Sequence, residues 1–388
     1  MFRRILNTSK SNSFFVFGAR GTGKTTFVSQ LLRDADVHRI DLLNQGVLAQ
    51  LEAYPEQLGR WIGPERREWV LIDEVQKVPA LLDEVHRLIE AKGQKFILTG
   101  SSARKLKRNA ANLLAGRAFV FKLFPLTAAE LGSAFDLGAA LSYGTLPKIS
   151  SLSSHRDKVL FLKAYADTYL REEIQIEQLI RKLPPFRKFL EIAARQDTEL
   201  TSYTNIARDI LVDPKVVSNY YEILEETLLG FRLEPFDTSI RKRQRKTPKF
   251  YWFDTGVRRA LAGTVDDPAR SQTFEYGSLF ESFVVNEFHR RLTYAERTFR
   301  MSFLRVDERT EIDLIIERPG MPTWLIEIKS TERVHEGHTD SLRRLAKEFP
   351  GARAMVASLD MEAKEIDGVS CRYWQVVLGE VMGQEFAQ

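Results

Sequence analysis

Cysteine is almost missing from this 388-residue chain, which carries Cys371 alone. That excludes an internal disulfide and any zinc site built from cysteine thiolates, and it fits a reducing compartment, the cytoplasm. Long apolar runs are missing too. None approaches the ~18 residues that a membrane-crossing helix needs, so no membrane partner is expected. The opening Met1-Phe2-Arg3-Arg4, with Phe14 to Phe17 behind it, has the look of a secretory leader. Its apolar part is too short and runs straight into a glycine-rich loop, so no leader is expected. A large excess of one charge is also absent, since 57 Lys and Arg stand against 52 Asp and Glu for a net charge of +5. Where the basic residues cluster therefore matters more than their sum, and nucleic acid is an admissible partner on charge alone. There is no internal repeat and no low-complexity tract. The composition, 44% hydrophobic and 28% charged, is that of a soluble globular protein with chain enough for two to four domains.

What is present is a phosphate loop. Gly18-Ala19-Arg20-Gly21-Thr22-Gly23-Lys24-Thr25 has the G-x-x-x-x-G-K-[ST] spacing. The apolar Phe14 to Phe17 before it reads as a buried strand, and Thr26 to Leu32 after it as a helix. Strand, glycine loop and helix start are the parts of a phosphate cradle, in which backbone N–H groups from Gly18 to Thr26 close around the β- and γ-phosphates. Lys24 adds a point charge to the same oxygens, and the Thr25 hydroxyl can ligate Mg²⁺. A second motif is Trp69-Val70-Leu71-Ile72-Asp73-Glu74. Its apolar run reads as a central parallel strand, and its two acids fall at the strand's C-terminal end, where open α/β sheets bind ligands. Asp73 is expected to orient the Mg²⁺ shell and Glu74 to polarise a water for attack on the γ-phosphate. Tandem acids favour hydrolysis over transfer to a small acceptor, which disfavours a small-molecule kinase.

Five segments occur in order: Gly18 to Thr25; Val70 to Glu74 with Gln76; Leu98-Thr99-Gly100-Ser101-Ser102; Leu114-Ala115-Gly116-Arg117; and Phe124-Pro125-Leu126-Thr127. Together they resemble the AAA-type P-loop ATPases of a large, poorly characterised prokaryotic family whose members carry a C-terminal domain of unknown function. The resemblance spans most of the chain and is most specific at the phosphate loop and the Asp-Glu strand. It implies ATP and Mg²⁺ as cofactors. It also implies that Thr99 or Ser101, at the end of the strand Lys95 to Ser101, contacts the attacking water or the γ-phosphate, although a plain strand-to-loop turn accounts for either one. Arg117, just before a strand over Ala118 to Leu123, would be an arginine finger reaching a neighbour's nucleotide in a homo-oligomer such as a ring. A local salt bridge accounts for Arg117 equally well.

Further along, Asp157 to Arg181 reads as a helical lid ended by Pro184-Pro185. Tyr203 to Ile210 and the helix after Asp213-Pro214 then make a helix-turn-helix pattern, with Val217, Tyr220, Tyr221, Leu224 and Leu228 facing inward. Lys215, Ser218, Asn219 and Glu222 lie on the opposite face, where such residues reach base edges or phosphates. Phe231 to Leu233 and Lys249 to Phe253 read as a hairpin. Between them stands the basic run Arg241-Lys242-Arg243-Gln244-Arg245-Lys246. This is a winged-helix pattern with a basic wing tip suited to phosphate contact, and DNA is the expected partner by structure rather than by sequence. A winged helix that docks protein is the alternative.

In the last third, Phe280, Phe283, Val284 and Phe288 define a helical face with Glu281 at its edge. Glu311 to Ile316 and Leu325 to Lys329 alternate with period two, which puts Glu327 and Lys329 on one side of a strand. Helix Glu, strand Asp, then strand Glu-x-Lys resembles the PD-(D/E)XK nuclease core. Carried over, Asp313 and Glu327 are metal ligands, Lys329 is the catalytic lysine and Glu281 a supporting acid. The proline that the pattern puts before the aspartate is replaced by Ile312. A helix is expected over Ser341 to Glu348, with strands over Ala352 to Ala357 and Ser370 to Val377.

The expected fold is therefore α/β. A P-loop parallel sheet with helices on both faces (1–145) precedes a helical lid (146–185), a winged helix (186–270) and a small nuclease-like α/β domain (271–388). The expected function is ATP hydrolysis by a DNA-binding protein of repair, recombination or branched-DNA handling, with a nuclease domain. The alternative is an ATP-dependent switch that binds DNA or a protein through an inactive nuclease-like domain.

Overall fold

The computed structural model describes residues 2–65, 67–102, 114, 116–169, 183–237, 247–307 and 310–383. The chain forms two compact units. The first comprises Met1–Leu126, Leu146–Lys148 and Ile223–Leu229, and the second Thr127–Thr145, Ile149–Glu222 and Gly230–Gln388. The boundaries expected at 145, 185 and 270 divide the chain more finely, and the stretch Thr127–Thr145, expected with the phosphate loop, groups with the second unit.

The first unit is built on β1 (Ser13–Phe17), β2 (Val37–Asp41), β3 (Trp69–Asp73), β4 (Phe96–Gly100) and β5 (Ala118–Lys122), in the order β2-β3-β4-β1-β5. All four pairings are parallel. Parallel strands covered on both faces need apolar residues at successive positions. Accordingly, β1 and β4 are buried throughout and β3 is buried up to Asp73. On one face Phe15, Phe17, Val70, Ile72, Phe96 and Leu98 pack with Leu81, Leu82, Val85 and Leu88 of the helix Leu81–Lys92. On the other, Phe14 meets Trp69 and Phe121 edge-on, each at 5.6 Å between centroids. The register Phe17↔Gly100 and Ile72↔Leu98 aligns the C-terminal ends of β1, β3 and β4, so the segments leaving these three strands meet at one edge of the sheet.

The second unit carries a mixed sheet of β6 (Gly230–Pro235), β7 (Lys249–Trp252), β8 (Arg300–Arg305), β9 (Glu311–Glu317), β10 (Trp324–Lys329), β11 (Arg353–Ser358), β12 (Lys364–Ile366) and β13 (Val369–Tyr373). Its order is β12-β13-β11-β10-β9-β8-β6-β7. β8, β9 and β10 run antiparallel in turn, while β11 joins β10 in parallel. The helix Phe274–Tyr294 lays Phe280, Phe283, Val284 and Phe288 on one face, against Leu314, Ile316, Ile326 and Trp374. The helix Asp340–Ala346 covers the other with Leu342 and Leu345, against Ile312, Ile315, Leu325 and Val356. β9 departs from strict alternation. Opposite β8 the register moves from Ser302↔Ile315 to Leu304↔Ile312, so β9 carries one extra residue there. This bulge at Asp313 and Leu314 re-aims the strand beside its acidic residues.

One expected element changes, and residues 170–182 of the expected lid lie outside the described residues. Ser370 to Val377 is not one strand: β13 stops at Tyr373, and Trp374 opens the helix Trp374–Met382. The reason is legible in the spacing, because Trp374, Val377, Leu378, Val381 and Met382 recur at three- and four-residue intervals and are all buried. Pro184 and Pro185 lie in the first turn of the helix Leu183–Arg195, where a missing N–H costs nothing. That helix, an isolated bridge Leu200↔Lys249, the helices Tyr203–Ile210 and Pro214–Glu226, and the hairpin β6–β7 succeed one another along the chain. Phe189 and Tyr221 pack edge-on at 4.8 Å, and Tyr221 lies 4.9 Å from Phe250.

Charge is buried in this unit as well. Glu287 is fully buried, accepts a hydrogen bond from the Ala128 N–H at 3.2 Å and pairs with Arg290 at 3.6 Å. Burial pushes its carboxyl up to about 7, against the pull of Arg290 and the Ala128 amide. A carboxyl whose folded pKa exceeds its unfolded one adds stability that is complete below the unfolded value and is lost as pH rises through the folded value. Between pH 5 and 8 the wild type should lose roughly 2–4 kcal/mol relative to Glu287→Gln, as urea unfolding at both pH values would measure. A difference that does not change with pH would refute it.

Candidate functional site

The phosphate loop joins β1 to the helix Lys24–Leu31. Gly18 must be glycine, because a Cβ there would lie 2.4 Å from the Leu123 carbonyl oxygen. Gly21 and Gly23 hold φ of 78° and 91°, a region open to glycine. Gly23 is the N-cap and offers no side chain to the first turn, so the N–H groups there suit an anion. Lys24 is buried and donates to the carbonyl of Gly18 at 2.8 Å, which ties the loop across its own base. Thr22 is buried as well and donates to the Ala19 carbonyl at 2.7 Å. Arg20, Gly21, Thr25 and Thr26 are exposed. Gly23 also has a neighbour from a distant stretch of chain, since a Cβ on it would lie 3.6 Å from Pro147.

Asp73 is where the motifs converge. Its Oδ2 accepts from the Thr25 hydroxyl at 3.3 Å, and its Oδ1 accepts from the Thr99 hydroxyl. Thr25 and Asp73 together offer only oxygen, the donor set a hard cation such as Mg²⁺ prefers, so the residues fit that ion. Glu74, the next residue, takes φ 59°, a left-handed backbone uncommon for a side-chain-bearing residue. Its N–H donates to Thr99 Oγ1 at 3.4 Å. Gln76, to which the sequence gives no role, sits behind it. The Gln76 amide nitrogen donates both to the Glu74 carboxylate and to Ser101 Oγ, the latter at 3.2 Å. Thr99 and Ser101 therefore both serve the acids at the end of β3, one directly and one through Gln76. Gly100 between them has no room for a Cβ, which would stand 2.5 Å from Gln76 Oε1. Arg117 forms an ion pair with Glu90, whose carboxyl it holds below the usual range.

In the second unit the bulge of β9, the helix Phe274–Tyr294 and β10 gather Glu281, Glu311, Asp313, Glu327 and Lys329. The residue that pattern reading missed is Lys249, at the start of β7. Its ammonium bonds Glu281 Oε1 at 3.1 Å and also contacts Glu311. Burial alone would lower the Lys249 pKa, but Glu281, Asp313 and Glu311 outweigh it and hold the value above its ordinary range. Tyr251 donates to the same Glu281 oxygen at 2.7 Å. Asp313 accepts from the Ile328 N–H at 2.7 Å, and Lys329 pairs with Glu327 at 2.6 Å. The only sequence signal for Lys249 was a cation opening an otherwise aromatic strand. Asp313 and Glu327, expected as ligands of one ion, face an amide and an ammonium instead. Among the described residues no three His, Cys, Asp or Glu groups could hold a metal ion together. The donors are carboxylate oxygens, as a divalent cation prefers, but each carboxylate is already bonded to a group of the chain itself.

On the helix Pro214–Glu226, Lys215 and Glu222 are exposed and Ser218 and Asn219 half-buried. The basic run, with Arg241, Lys242, Arg243, Arg245 and Lys246, lies outside the described residues. Among those described, no helix is long and apolar enough to cross a membrane.

Comparison with known proteins finds family models over three stretches of the chain. Residues 10–132 match the family model described as AAA domain, residues 134–267 that of a domain of unknown function (DUF8612), and residues 276–376 that of a domain of unknown function (DUF4143). The chain is 28% identical over 293 residues to the uncharacterized protein Rv2008c of Mycobacterium tuberculosis, a match covering 73% of this chain and 65% of that one. It thus spans less than two thirds of that relative's length. An alignment of 391 positions with the uncharacterized protein MJ1637 of Methanocaldococcus jannaschii is 24% identical and covers 85% and 79% of the two chains. Among solved structures, the Aeropyrum pernix ORC1 protein in complex with DNA aligns over 66% of this chain and 87% of its own, at 16% identity and a TM-score of 0.29. A score that low carries no conclusion. Residues 10–132 are an AAA ATPase-like domain.

Because Gln76 fills the space over Gly100, Gly100→Ala should displace its amide and lower stability by roughly 1–3 kcal/mol in chemical denaturation. Unchanged stability would mean that the Gln76 contacts are not held as described.

Proposed function

We propose that the chain hydrolyses ATP and uses the cycle to bind and release DNA. The observation that supports this reading best is the meeting of Lys24, Thr25, Asp73 and Glu74 at one edge of a parallel sheet. Triphosphate oxygens would take the N–H groups of the loop from Gly18 to Thr26 and draw Lys24 from the Gly18 carbonyl to themselves. Mg²⁺, held by Thr25 and Asp73, would supply positive charge to the phosphates. Glu74 takes the role of general base toward a water, and Gln76 fixes its carboxylate in place. Thr99 and Ser101 act behind those acids, through Asp73 and Gln76. Arg117 exchanges Glu90 for a neighbour's nucleotide in a cytoplasmic homo-oligomer such as a ring.

For the DNA contact, the support is the order of helices, bridge and hairpin from Leu183 to Trp252, which reads as a winged helix whose Lys215 is exposed beside half-buried Ser218 and Asn219. The run Arg241 to Lys246 would be its wing tip, recognising DNA by backbone and shape in repair, recombination or branched-DNA handling. The helix Phe274–Tyr294, the antiparallel β8–β9–β10, the helix Asp340–Ala346 and the parallel β11 run in the order of a PD-(D/E)XK core. The lysine-filled acidic cluster favours the second of the two expected readings for this part, a platform that holds DNA or a partner and cuts nothing. Lys329 is then an anion contact and not a catalytic lysine.

Lys24→Ala and Glu74→Gln should each reduce phosphate release at least a hundredfold, with Glu74→Gln keeping ATP affinity within a fewfold of wild type. Turnover retained by either variant would remove this assignment. Neutralising the basic residues from Arg241 to Lys246 should flatten the dependence of log K on log salt by up to ~4, at about 0.9 for each phosphate no longer neutralised. An unchanged slope would exclude that segment from the phosphate contacts.

A further inference from the structure

We propose that the Lys249 ammonium is a built-in counter-ion for the acidic cluster of the second unit, occupying the role of a divalent cation and closing the cluster to metal. The inference does not depend on the nucleotide reading.

Four carboxylates meet here, from Glu281, Glu311, Asp313 and Glu327. As placed, no three of them could share an ion, but relieved of their cations the side chains could turn together toward a divalent ion from solution. The cavity beside it, about 340 Å³ and lined in part by Lys249, Glu281, Glu311, Asp313 and Lys329, is large enough to let one in. Yet each carboxylate already has a partner from the chain. Lys249 lies between Glu281 and Glu311, which come from a helix and a strand far apart in sequence. Arg305 adds a third cation, 3.6 Å from the other oxygen of Glu311. Tyr251 takes a further position on Glu281, the Ile328 N–H holds Asp313, and Lys329 holds Glu327.

Lys249 is not a side chain that happens to lean in from the surface. Only 4% of it is exposed, and its Nζ stands 5.5 Å from the centre of the Phe303 ring. An ammonium placed so deeply leaves only if another cation replaces it or the carboxylates take up protons, since they would otherwise face each other uncompensated. A divalent ion approaching while Lys249 stays would be repelled at a few ångströms in a poorly screened site. Lysine suits the task because its charge is a compact point with three donors, which can bridge two carboxylates much as a metal does.

The test is Mn²⁺ binding to the full-length, nucleotide-free protein, measured by electron paramagnetic resonance. Wild type and Asp313→Asn should bind the same number of Mn²⁺ ions, because the cluster contributes none. Loss of one ion in Asp313→Asn would overturn the proposal, and this arm does not require any change at Lys249. Lys249→Gln should gain one Mn²⁺ per chain, bound at least tenfold more tightly than anything wild type holds at this cluster, and the double change with Asp313→Asn should lose it again. A Lys249→Gln protein whose circular dichroism matches wild type but which gains no ion would equally overturn it. Lys249→Arg, which keeps the charge, should remain without the extra ion.

Discussion

One carboxylate, that of Asp73, accepts hydroxyls from Thr25 and Thr99 together, and the geometry of the site in the first unit is referred to that double contact. Thr25 comes from the helix after β1, Asp73 from the end of β3 and Thr99 from β4. Three segments far apart in sequence are thereby referred to one oxygen pair. The contact is possible because the parallel register brings those strand ends level, and the register is held by faces that are apolar on both sides. Burial fixes the strands, the strands fix the acids, and the acids fix what the loop can hold.

In the second unit the same constraint is met differently. Its carboxylates are largely withdrawn from water and lie beside cations and amides of the chain itself. Glu287 finds Arg290 and the Ala128 amide, Glu281 and Glu311 find Lys249, and Glu327 finds Lys329. Buried charges seldom add stability over an apolar core, but removing one partner strands the other, so such clusters resist piecemeal change. The first unit leaves its acids near exposed Thr25, where a ligand can enter. The second surrounds its acids with lysine and arginine.

Local signals were strong where a motif and a strand pattern coincided. The loop from Gly18 to Thr25, the run from Trp69 to Glu74 and the strand before Ser101 could be read directly, because both faces of the sheet are apolar and glycine positions are dictated by backbone geometry. The hairpin β6–β7 and the acidic order of the last third were legible for the same reason. What could not be read was long-range neutralisation. Nothing local to Lys249 shows that it enters a cluster formed by residues 281 and 311, and nothing near Gln76 shows that its amide joins Glu74 to Ser101. The extra residue in β9 was also hidden, because Ile312, Leu314, Ile315 and Ile316 are all apolar and fit either phase of the strand. Trp374 to Val377 misled because aromatic and branched residues favour strands, while the recurrence that makes them helical continues past Val377.

The first unit is not one continuous stretch of chain. Leu146–Lys148 and Ile223–Leu229 belong to it, with Pro147 beside the phosphate loop and Leu228 against its core. A ribosome must therefore have released the chain well past residue 229 before this unit can close around its own interior. A shortened polypeptide ending near residue 145 would emerge with the signature motif intact and the wall beside it missing. Dissecting the molecule at the limits of its most conspicuous motif would separate parts that mature only together.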